Sequence, residues 1–548
     1  MTATPMKLTL IASIITFLLL LVPSILAQGP GAEVEARITV SSMASHIKFL
    51  SDDLLGGRGV GSMHDELTRL YLRTQYQLLG LLPAGEHGTY DQHVPIIGIT
   101  TTISKPLEVV APSGKRASFT APADYTAEIA RPVEAVAWED LPIVFVGYGI
   151  TAPEENWDDF KGVDVKGKVL LVMNNDPSTD DALFAGKTRL YYGRWSYKFE
   201  EAARRGAVGA IVIHTTESAG YPFQVIQTGQ GQEQFWLPFR DEEPTLAIRS
   251  WCSEEAARLM CSLGGQDLDD LRARAEKRDF IPVTLPVRAN LSGTAKTRTI
   301  PSGNVLGMLP GSDPTLKDEV VVVTAHFDHL GIGREVQGDS IYNGALDNAS
   351  GCSAMLNLAR ALSLMKTPPK RSILFAAVTA EESGLLGSKY FAENPTVPRK
   401  KMIANYNIDG INIWGLTKDL GMVGHGKNSL TALAEQVAAR RGRVIKPDQE
   451  SDKGLFYRSD HFSFARIGVP AAYFKAGGDF LENGDTRRSV KGAYTTLHYH
   501  QPSDQIDERW NLAGAVEDTR LILECLLHTA NAPEAPTWTP GDEFEKLR

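Results

Sequence analysis

The stretch VVVTAHFDHLG, residues 321–331, is the part of the sequence that decides the fold. It starts as an unbroken apolar, β-branched run, which is typical of a strand buried on both faces. The run ends at His326, and Asp328 follows two residues later. Similar strand-like runs alternate with helical patterns on both sides of it. This alternation predicts an α/β fold, in which a largely parallel, mixed sheet is sandwiched between helices.

The alternating elements extend from about residue 304 to residue 441. Predicted strands are SILFAAVTA (372–380) and MIANYNID (402–409). Predicted helices cover 349–365, 384–393 and 429–441, where apolar residues recur at helical spacing. A further amphipathic helix is predicted over 64–79, with Gly80 as its C-terminal cap. Its apolar stripe should pack on the sheet and consists of Leu67, Leu70, Tyr71 and Leu78.

Residues 135–290 show a different pattern, made of short runs that are rich in β-forming residues. Examples are IVFVGYGI (143–150), KGKVLLV (166–172) and AIVIH (210–214), and FIPVTLPVRANL (280–291) closes the segment. We therefore expect a smaller β-rich domain inserted into the larger one. The predicted organisation is a signal peptide (1–27), the N-terminal part of the main domain (28–134), the inserted domain (135–290), the main domain (291–530) and a C-terminal tail (531–548).

Composition narrows the class of function. The chain has 548 residues, 43% of them hydrophobic and 22% charged, and a formal net charge of -10 at pH 7. The charge is spread without long acidic or basic runs, which argues against a nucleic-acid partner and favours a small-molecule or peptide substrate. The sequence gives no indication of the oligomeric state.

The N-terminus indicates export. Lys7 precedes an apolar stretch from Leu8 to Val22, and Pro23 and the small residues Ser24 and Ala27 follow. This pattern predicts a signal peptide cleaved after Ala27, and hence a secreted or periplasmic protein without a membrane span after cleavage. An uncleaved membrane anchor is the alternative, because the stretch is nearly long enough to cross a bilayer.

The four cysteines do not predict disulfides. If residues 253–263 form a helix, Cys252 and Cys261 lie about 13 Å apart along it, which is too far for a bond. Cys352 and Cys525 stand in apolar helical patterns and are expected to be inert core residues.

Five segments carry metal-ligand residue types, and in four of them these residues come where a strand or strand-like run ends. Parallel sheets bind ligands beyond the carboxyl ends of their strands, so these side chains should meet at one edge. Taken singly, each residue is better explained as an ordinary polar side chain. Together they supply the nitrogen and oxygen ligands that zinc accepts. The residues are His326 with Asp328, Asp347, Glu381 with Glu382, Asp409, and Tyr499 with His500.

With these segments, the chain resembles the zinc aminopeptidases of clan MH, which also include glutamate carboxypeptidase and the glutaminyl cyclases. The resemblance extends to FLSDDLLGGRGVGS (49–62) and LLGLLPAG (78–85) near the start. Residues 144–214 resemble the protease-associated domain that many members carry as an insertion. The resemblance implies a secreted hydrolase, a metallopeptidase with two zinc ions that removes N-terminal residues from peptides with a free N-terminus.

The resemblance also implies a role for each site residue. His326 and Asp409 would bind one zinc, Glu382 and His500 the other, and Asp347 would bridge both. Asp328 would accept the second N–H of the His326 imidazole and fix its tautomer.

Glu381 would be the general base toward a water held between the ions, and Tyr499 a donor to the oxyanion. Arg458, in the tract RSDHF (458–462), would contact substrate, or would instead form a structural ion pair with Asp460. The peptide bond between Asp347 and Asn348 is expected to be cis.

Other functions of the same fold remain open at this point. A carboxypeptidase or dipeptidase would need a basic recess for the terminal carboxylate, and Arg458 is the only evident candidate. Glutaminyl cyclases act as acyltransferases with one zinc and lack the His of the first motif, which this chain keeps as His326. A receptor-like relative without catalysis would have lost ligands, whereas this chain retains a full set.

Overall fold

The computed structural model describes residues 31–180, 182–240 and 244–547. The predicted signal peptide lies outside these ranges. Among the described residues, no helix combines the length and apolar character needed to cross a membrane.

One mixed sheet of sixteen strands runs through the described part of the chain. Twelve of its strands form a continuous path. In spatial order these are Val444–Pro447, Asp419–Val423, Ala471–Ala476, Met402–Asn407, Val320–His326, Ser372–Val378, Val283–Leu309, Ala135–Phe145, Val169–Met173, Gly209–Ile213, Ile248–Cys252 and Tyr125–Ile129. Four more strands pair beside this path: Leu82–Pro83, Asp91–Val110, Arg116–Ser118 and Glu233–Trp236. Two separate hairpin-like pairs join Gly331–Val336 to Asp339–Tyr342 and Thr151–Ala152 to Trp157–Asp158.

The α-helices cover the faces of this sheet. The longer ones are Val40–Leu50, Met63–Leu78, Trp195–Arg204, Glu254–Leu263, Leu268–Ala275, Gly351–Ser363, Leu386–Glu393, Leu430–Arg440, Gly484–Leu497 and Ala513–Asn531. Short helices occupy Ala32–Glu35, Thr216–Ala219, Gln224–Thr228 and His461–Ala465. The predicted strands and helices after residue 304 are all present, with bounds that differ from the predicted ones by a few residues at their ends.

The centre of the sheet is parallel and buried on both faces. Val320–His326 lies between Ser372–Val378 and Met402–Asn407 and runs parallel to both. Every residue of these three strands is buried. Helices cover both faces, and this accounts for the unbroken apolar runs seen in the sequence. The predicted fold class, a largely parallel mixed α/β sheet flanked by helices, is confirmed.

The long strand Val283–Leu309 links two parts of the sheet. Its C-terminal end pairs with Ser372–Val378, and its N-terminal end pairs with Ala135–Phe145. We call the strands from Ala135–Phe145 to Tyr125–Ile129, with the helix Trp195–Arg204, the outer lobe. Its main hydrophobic cluster draws on residues between 107 and 291. The division into domains at residues 135 and 290 stays a prediction.

The helix Met63–Leu78 exists as predicted, but the prediction of its packing face is wrong. Leu70 and Leu78 are 50% and 74% exposed, whereas Leu72 and Tyr76 are fully buried. The buried face begins with the polar residues Asp65 and Thr68. Their polar groups have partners: Asp65 accepts from Ser302 at 3.0 Å and Arg69 at 3.2 Å, and Thr68 donates to the His64 carbonyl at 2.8 Å. A prediction based on apolar residues alone cannot identify a buried helix face that includes polar residues with hydrogen-bond partners.

The cysteine predictions are confirmed. Cys252, Cys261, Cys352 and Cys525 are all free and buried. Burial raises the pKa of the Cys352 thiol to about 12, so the thiol is protonated and unreactive at neutral pH.

The two faces of the helix Met63–Leu78 give opposite expectations for the same substitution. Leu72→Ala leaves a cavity in the core and should lower the free energy of unfolding by about 2–5 kcal/mol. Leu70→Ala, on the exposed face, should change it by no more than about 0.5 kcal/mol. Urea denaturation of both variants measures the free energy of unfolding. A larger loss of stability in Leu70→Ala than in Leu72→Ala would show that the apolar stripe predicted from the sequence is the buried face.

Candidate functional site

Strand register brings three of the metal-ligand segments together. His326 pairs with Val378, and Thr324 pairs with Asn407. The three parallel strands therefore end at one edge. Glu381 follows Val378 by three residues and Asp409 follows Asn407 by two, so both acidic side chains lie beyond the ends of the strands that flank His326.

The side chains at this edge form two overlapping groups around Asp347. His326 Nε2 lies 3.2 Å from Asp347 Oδ1 and 3.7 Å from Asp409 Oδ1. His500 Nε2 lies 3.3 Å from Asp347 Oδ2 and 3.0 Å from Glu382 Oε2. The two carboxylate oxygens of Asp347 thus face different histidines, and the loop that carries Asp347 lies between the two groups.

The donor set fits divalent cations with nitrogen and oxygen ligands. His326 Nε2 and His500 Nε2 are buried and have no hydrogen-bond partner, although carboxylate oxygens surround both. Ligand atoms of His326, Asp347 and Glu382 all lie within 4.8 Å of one another, as do those of His326, Glu381 and Asp409. Two imidazoles with several carboxylates are ligands that zinc prefers.

The charges at the site point the same way. Burial alone would lower the pKa of His326, but Glu381, Asp347 and Asp409 raise it well above its usual value. Burial likewise lowers the pKa of His500. Nearby carboxylates, with Glu382 first among them, outweigh this effect and raise the pKa to about 10. A group of carboxylates that draws protons onto imidazoles also attracts metal cations.

Asp328 orients the segment of Glu381 and Glu382, and here the structure differs from the sequence-based expectation. Its carboxylate accepts from the backbone N–H of Glu381 at 3.1 Å and of Glu382 at 3.3 Å. The His326 Nδ1 atom instead lies 3.2 Å from the Asp328 backbone carbonyl and 3.7 Å from its carboxylate. The backbone carbonyl thus stands where the carboxylate was expected, because the carboxylate is already committed to two amides.

The Asp347 loop is fixed by side chains on both sides. Asp504 accepts from the backbone N–H of Leu346 at 2.9 Å and of Asp347 at 3.1 Å. Asn348 donates to the carbonyls of His326 at 3.3 Å and Ile408 at 3.0 Å, which tie the loop to two strand ends. The peptide bond between Asp347 and Asn348 is cis, as the resemblance implied.

Arg58 is a supporting residue that motif reading did not single out. It is fully buried, and its guanidinium donates to four backbone carbonyls. Two of the acceptors, Asn343 and Gly344, precede the Asp347 loop, and the others are Phe327 and Leu50. The signal was present in the sequence, since Arg58 stands in the quoted segment FLSDDLLGGRGVGS, but nothing in the sequence located its partners.

His329 is a second residue that the sequence reasoning missed. Its Nδ1 lies 2.7 Å from Glu382 Oε1, and its ring meets the His500 ring edge to face at 5.6 Å. The other Glu382 oxygen faces His500. His329 therefore holds the orientation of the Glu382 carboxylate. His329 lies in the same HFDHLG stretch as His326. Nothing in the sequence around it distinguishes a histidine that binds Glu382 from an ordinary surface histidine.

A cavity of about 670 Å³ opens in front of these residues, between the main part of the molecule and the outer lobe. Glu381, Tyr499 and Arg458 line it from the main part, and Trp195 lines it from the outer lobe. Trp236 also lines it, from the strand Glu233–Trp236 that pairs with Asp91–Val110. The Tyr499 ring stacks on the His500 ring at 3.9 Å. Burial raises the pKa of Tyr499 well above its usual value, so its hydroxyl stays protonated and can donate a hydrogen bond.

Arg458 points into this cavity and makes no ion pair with Asp460 among the described residues. The Asp460 carboxylate is fully buried, and neither of its oxygens has a hydrogen-bond partner. Of the two alternatives stated for Arg458, the structural pair is absent from the described part of the chain.

Comparison with known proteins finds peptidases that resemble part of this chain. Residues 304–523 match Peptidase family M28. The chain is 29% identical over 254 residues to leupeptin-inactivating enzyme 1 of Streptomyces exfoliatus, covering 44% of this chain and 51% of that protein. It is 28% identical over 251 residues to aminopeptidase YwaD of Bacillus subtilis strain 168, covering 44% of this chain and 48% of that protein. The chain thus spans about half the length of these curated relatives.

A solved structure extends the likeness of the fold. An aminopeptidase from Aneurinibacillus sp. strain AM-1 superposes with a TM-score of 0.55 at 19% identity and covers 92% of this chain and 97% of that one. The resemblance to zinc aminopeptidases inferred from the sequence is confirmed. Residues 304–523, the segment that matches Peptidase family M28, carry the five candidate metal ligands and Glu381.

Proposed function

We propose that this chain is a co-catalytic two-zinc exopeptidase, an aminopeptidase that hydrolyses the N-terminal bond of peptides. The observation that carries the proposal is the pair of ligand groups that share Asp347, with one histidine on each side. His326 and Asp409 would hold one ion, Glu382 and His500 the other, and Asp347 both. Ions bound there would lower the pKa of a water molecule and polarise the scissile carbonyl.

Glu381 would act as the general base. Its carboxylate lines the cavity, and its Oε2 lies 4.0 Å from His326 Nε2. Burial and the neighbouring Glu382 and Asp409 raise the pKa of Glu381 well above its usual value, although His326 lowers it. A carboxylate with a raised pKa readily keeps a proton that it has taken from water. Glu381 would then pass that proton to the nitrogen of the leaving amine.

Tyr499 would stabilise the charge that develops on the carbonyl oxygen. Its hydroxyl is protonated, and its ring is fixed against His500. Asp328 takes no part in the proton transfer in this proposal. It positions Glu381 and Glu382 through their backbone amides.

The remaining parts of the proposal concern the rest of the chain. Export by the predicted signal peptide would place the enzyme outside the cytoplasm. The outer lobe, which we propose to be the inserted protease-associated domain, would limit the cavity to the end of a peptide, because its Trp195 lines the same cavity as Glu381.

Zinc-loaded protein should hydrolyse leucine 4-nitroanilide and spare its N-acetylated form, because an aminopeptidase requires the free α-amine. Release of nitroaniline measures both rates. Equal activity on both substrates, or activity on the blocked one alone, would contradict an aminopeptidase.

Glu381→Gln is the matched variant for that assay. It should reduce turnover by at least about 100-fold, since the base is lost, while zinc content stays at the wild-type level. Glu382→Gln should lose zinc. If Glu381→Gln lost the metal instead, the two glutamates would have to exchange roles.

The contact between His329 and Glu382 gives a prediction about metal affinity. His329→Ala should weaken binding of one zinc ion by about 10–100-fold, since the ligand carboxylate loses the group that orients it. Competition with a chromophoric chelator measures this affinity without reference to activity. His425→Ala, which removes a surface histidine bonded to Glu435 at 3.0 Å, is the control and should bind zinc as the wild type does. An unchanged affinity in His329→Ala would show that Glu382 needs no such support.

A further inference from the structure

The helix Met63–Leu78 carries an apolar stripe on its solvent side. Residues that lie three or four positions apart share one face of a helix, and the stripe follows that spacing. The buried residues begin at Asp65, two positions after Met63, and therefore lie just over half a turn away, on the opposite face. We call the following six residues the exposed stripe: Met63, Leu67, Leu70, Tyr71, Thr74 and Leu78.

Two more exposed apolar side chains come from the segment before this helix. The Phe49 ring stacks on the Tyr71 ring at 4.1 Å. Leu54 lies on the short helix Asp53–Arg58, which packs against the helix Met63–Leu78. The six apolar residues that are between 39% and 83% exposed are Phe49, Leu54, Met63, Leu67, Leu70 and Leu78. Together they expose roughly 600 Å², as much as the largest apolar patch of a typical soluble monomer.

The charged residues beside the exposed stripe pair with one another. Arg73 pairs with Glu66 at 2.7 Å and with Asp91 at 2.8 Å, and Arg69 also pairs with Glu66. A strongly acidic or basic partner would have to break these pairs. A helix that binds a lipid surface presents lysines and arginines that are free to meet anionic headgroups, whereas these two arginines are occupied. The exposed stripe therefore suits a partner that is apolar and uncharged over the same area.

We propose that the exposed stripe is the contact between two copies of this chain. A two-fold axis places the stripe of one chain against the stripe of the other, so one apolar face serves both. A specific interface buries about 800 Å² on each partner, with an apolar centre and a polar rim. The exposed stripe, Phe49 and Leu54 supply most of that area, and the pair of Glu66 and Arg73 supplies part of the rim. The proposal does not depend on zinc or on the proposed function.

The same helix connects this face to the candidate reaction centre. Ser62 and His64, on either side of Met63, line the cavity that contains Glu381. A second chain on the exposed stripe therefore lies beside the cavity, and the two cavities of the dimer lie near its interface. The apolar pattern that the sequence predicts to pack on the sheet packs on a second chain instead.

Sedimentation velocity measures this association directly. The chain that starts at Gln28, the form left by the predicted signal cleavage, is compared at about 0.5 µM and about 50 µM, because association follows mass action. At the higher concentration we expect twice the mass of a single chain, and at the lower concentration a larger share of single chains. The stability comparison of Leu70→Ala with Leu72→Ala concerns the single chain, so it is made at the lower concentration.

Leu67→Glu combined with Leu70→Glu should stay a single chain at both concentrations. Two copies of this variant would have to bury four unpaired carboxylates against each other. Glutamate favours a helix, so the variant should fold, and urea denaturation checks this. Leu259→Glu is the control, because Leu259 is exposed on another helix, Glu254–Leu263, and this variant should dimerise as the wild type does. Leu70→Met keeps the apolar volume and should also dimerise.

Two results would overturn the proposal: a wild type that stays a single chain at the higher concentration, or a dimer that Leu67→Glu with Leu70→Glu leaves intact. A single-chain wild type that sediments with phosphatidylcholine vesicles would make a lipid surface the occupant of this face. If the glutamate variant does not fold, Met63→Gln combined with Leu78→Gln tests the two ends of the same stripe and should weaken the dimer.

The proposed function can fail without affecting this result. Glu381→Gln, which is expected to lose turnover, should dimerise as the wild type does, because Glu381 lies in the cavity and not on the exposed stripe. A wild type without peptidase activity that still forms the dimer would refute the proposed function alone. An active wild type that stays a single chain would refute the dimer alone.

Discussion

Mutual repulsion of buried carboxylates is the constraint on which this molecule depends. Asp347, Glu381, Glu382 and Asp409 lie at one sheet edge, each with a side chain less than a fifth exposed. Like charges this close and this buried destabilise the fold unless cations balance them. In the protein alone, the imidazoles provide that balance by holding protons. Bound zinc would provide it more completely, so the proposed chemistry and the stability of this edge have the same physical origin.

The surrounding structure can be understood as the means of holding these charges in place. Arg58 fixes the backbone before the Asp347 loop with four hydrogen bonds to carbonyls, and Asp504 holds the loop's amides. Asp328 holds the amides of the two glutamates. Each of these side chains binds backbone groups, which specifies position without adding a ligand. The outer lobe adds Trp195, and it thereby links a part of the chain distant in sequence to the same cavity.

Much of this could be predicted from the sequence, because the strand runs and the polar residues after them obey a simple rule of parallel sheets. The rule brings His326, Glu381 and Asp409 together without knowledge of side-chain geometry. It cannot say which atom of Asp328 faces His326, because that choice depends on competition with two backbone amides. Nor can it place Trp195 at the cavity, because that depends on how the outer lobe packs against the main part. The sequence also predicts the wrong buried face for the helix Met63–Leu78. A hydrophobicity pattern assigns polar residues to the exposed face, even where they are buried with hydrogen-bond partners.

The central claim is that Asp347 joins two zinc sites, and zinc stoichiometry tests it most directly. Isothermal titration of metal-free protein should give two zinc ions per chain. Asp347→Ala should weaken both binding steps together, because each site loses the oxygen that faces it. A single ion per chain in the wild type would contradict the account. So would a variant that loses one site and retains the other at full affinity.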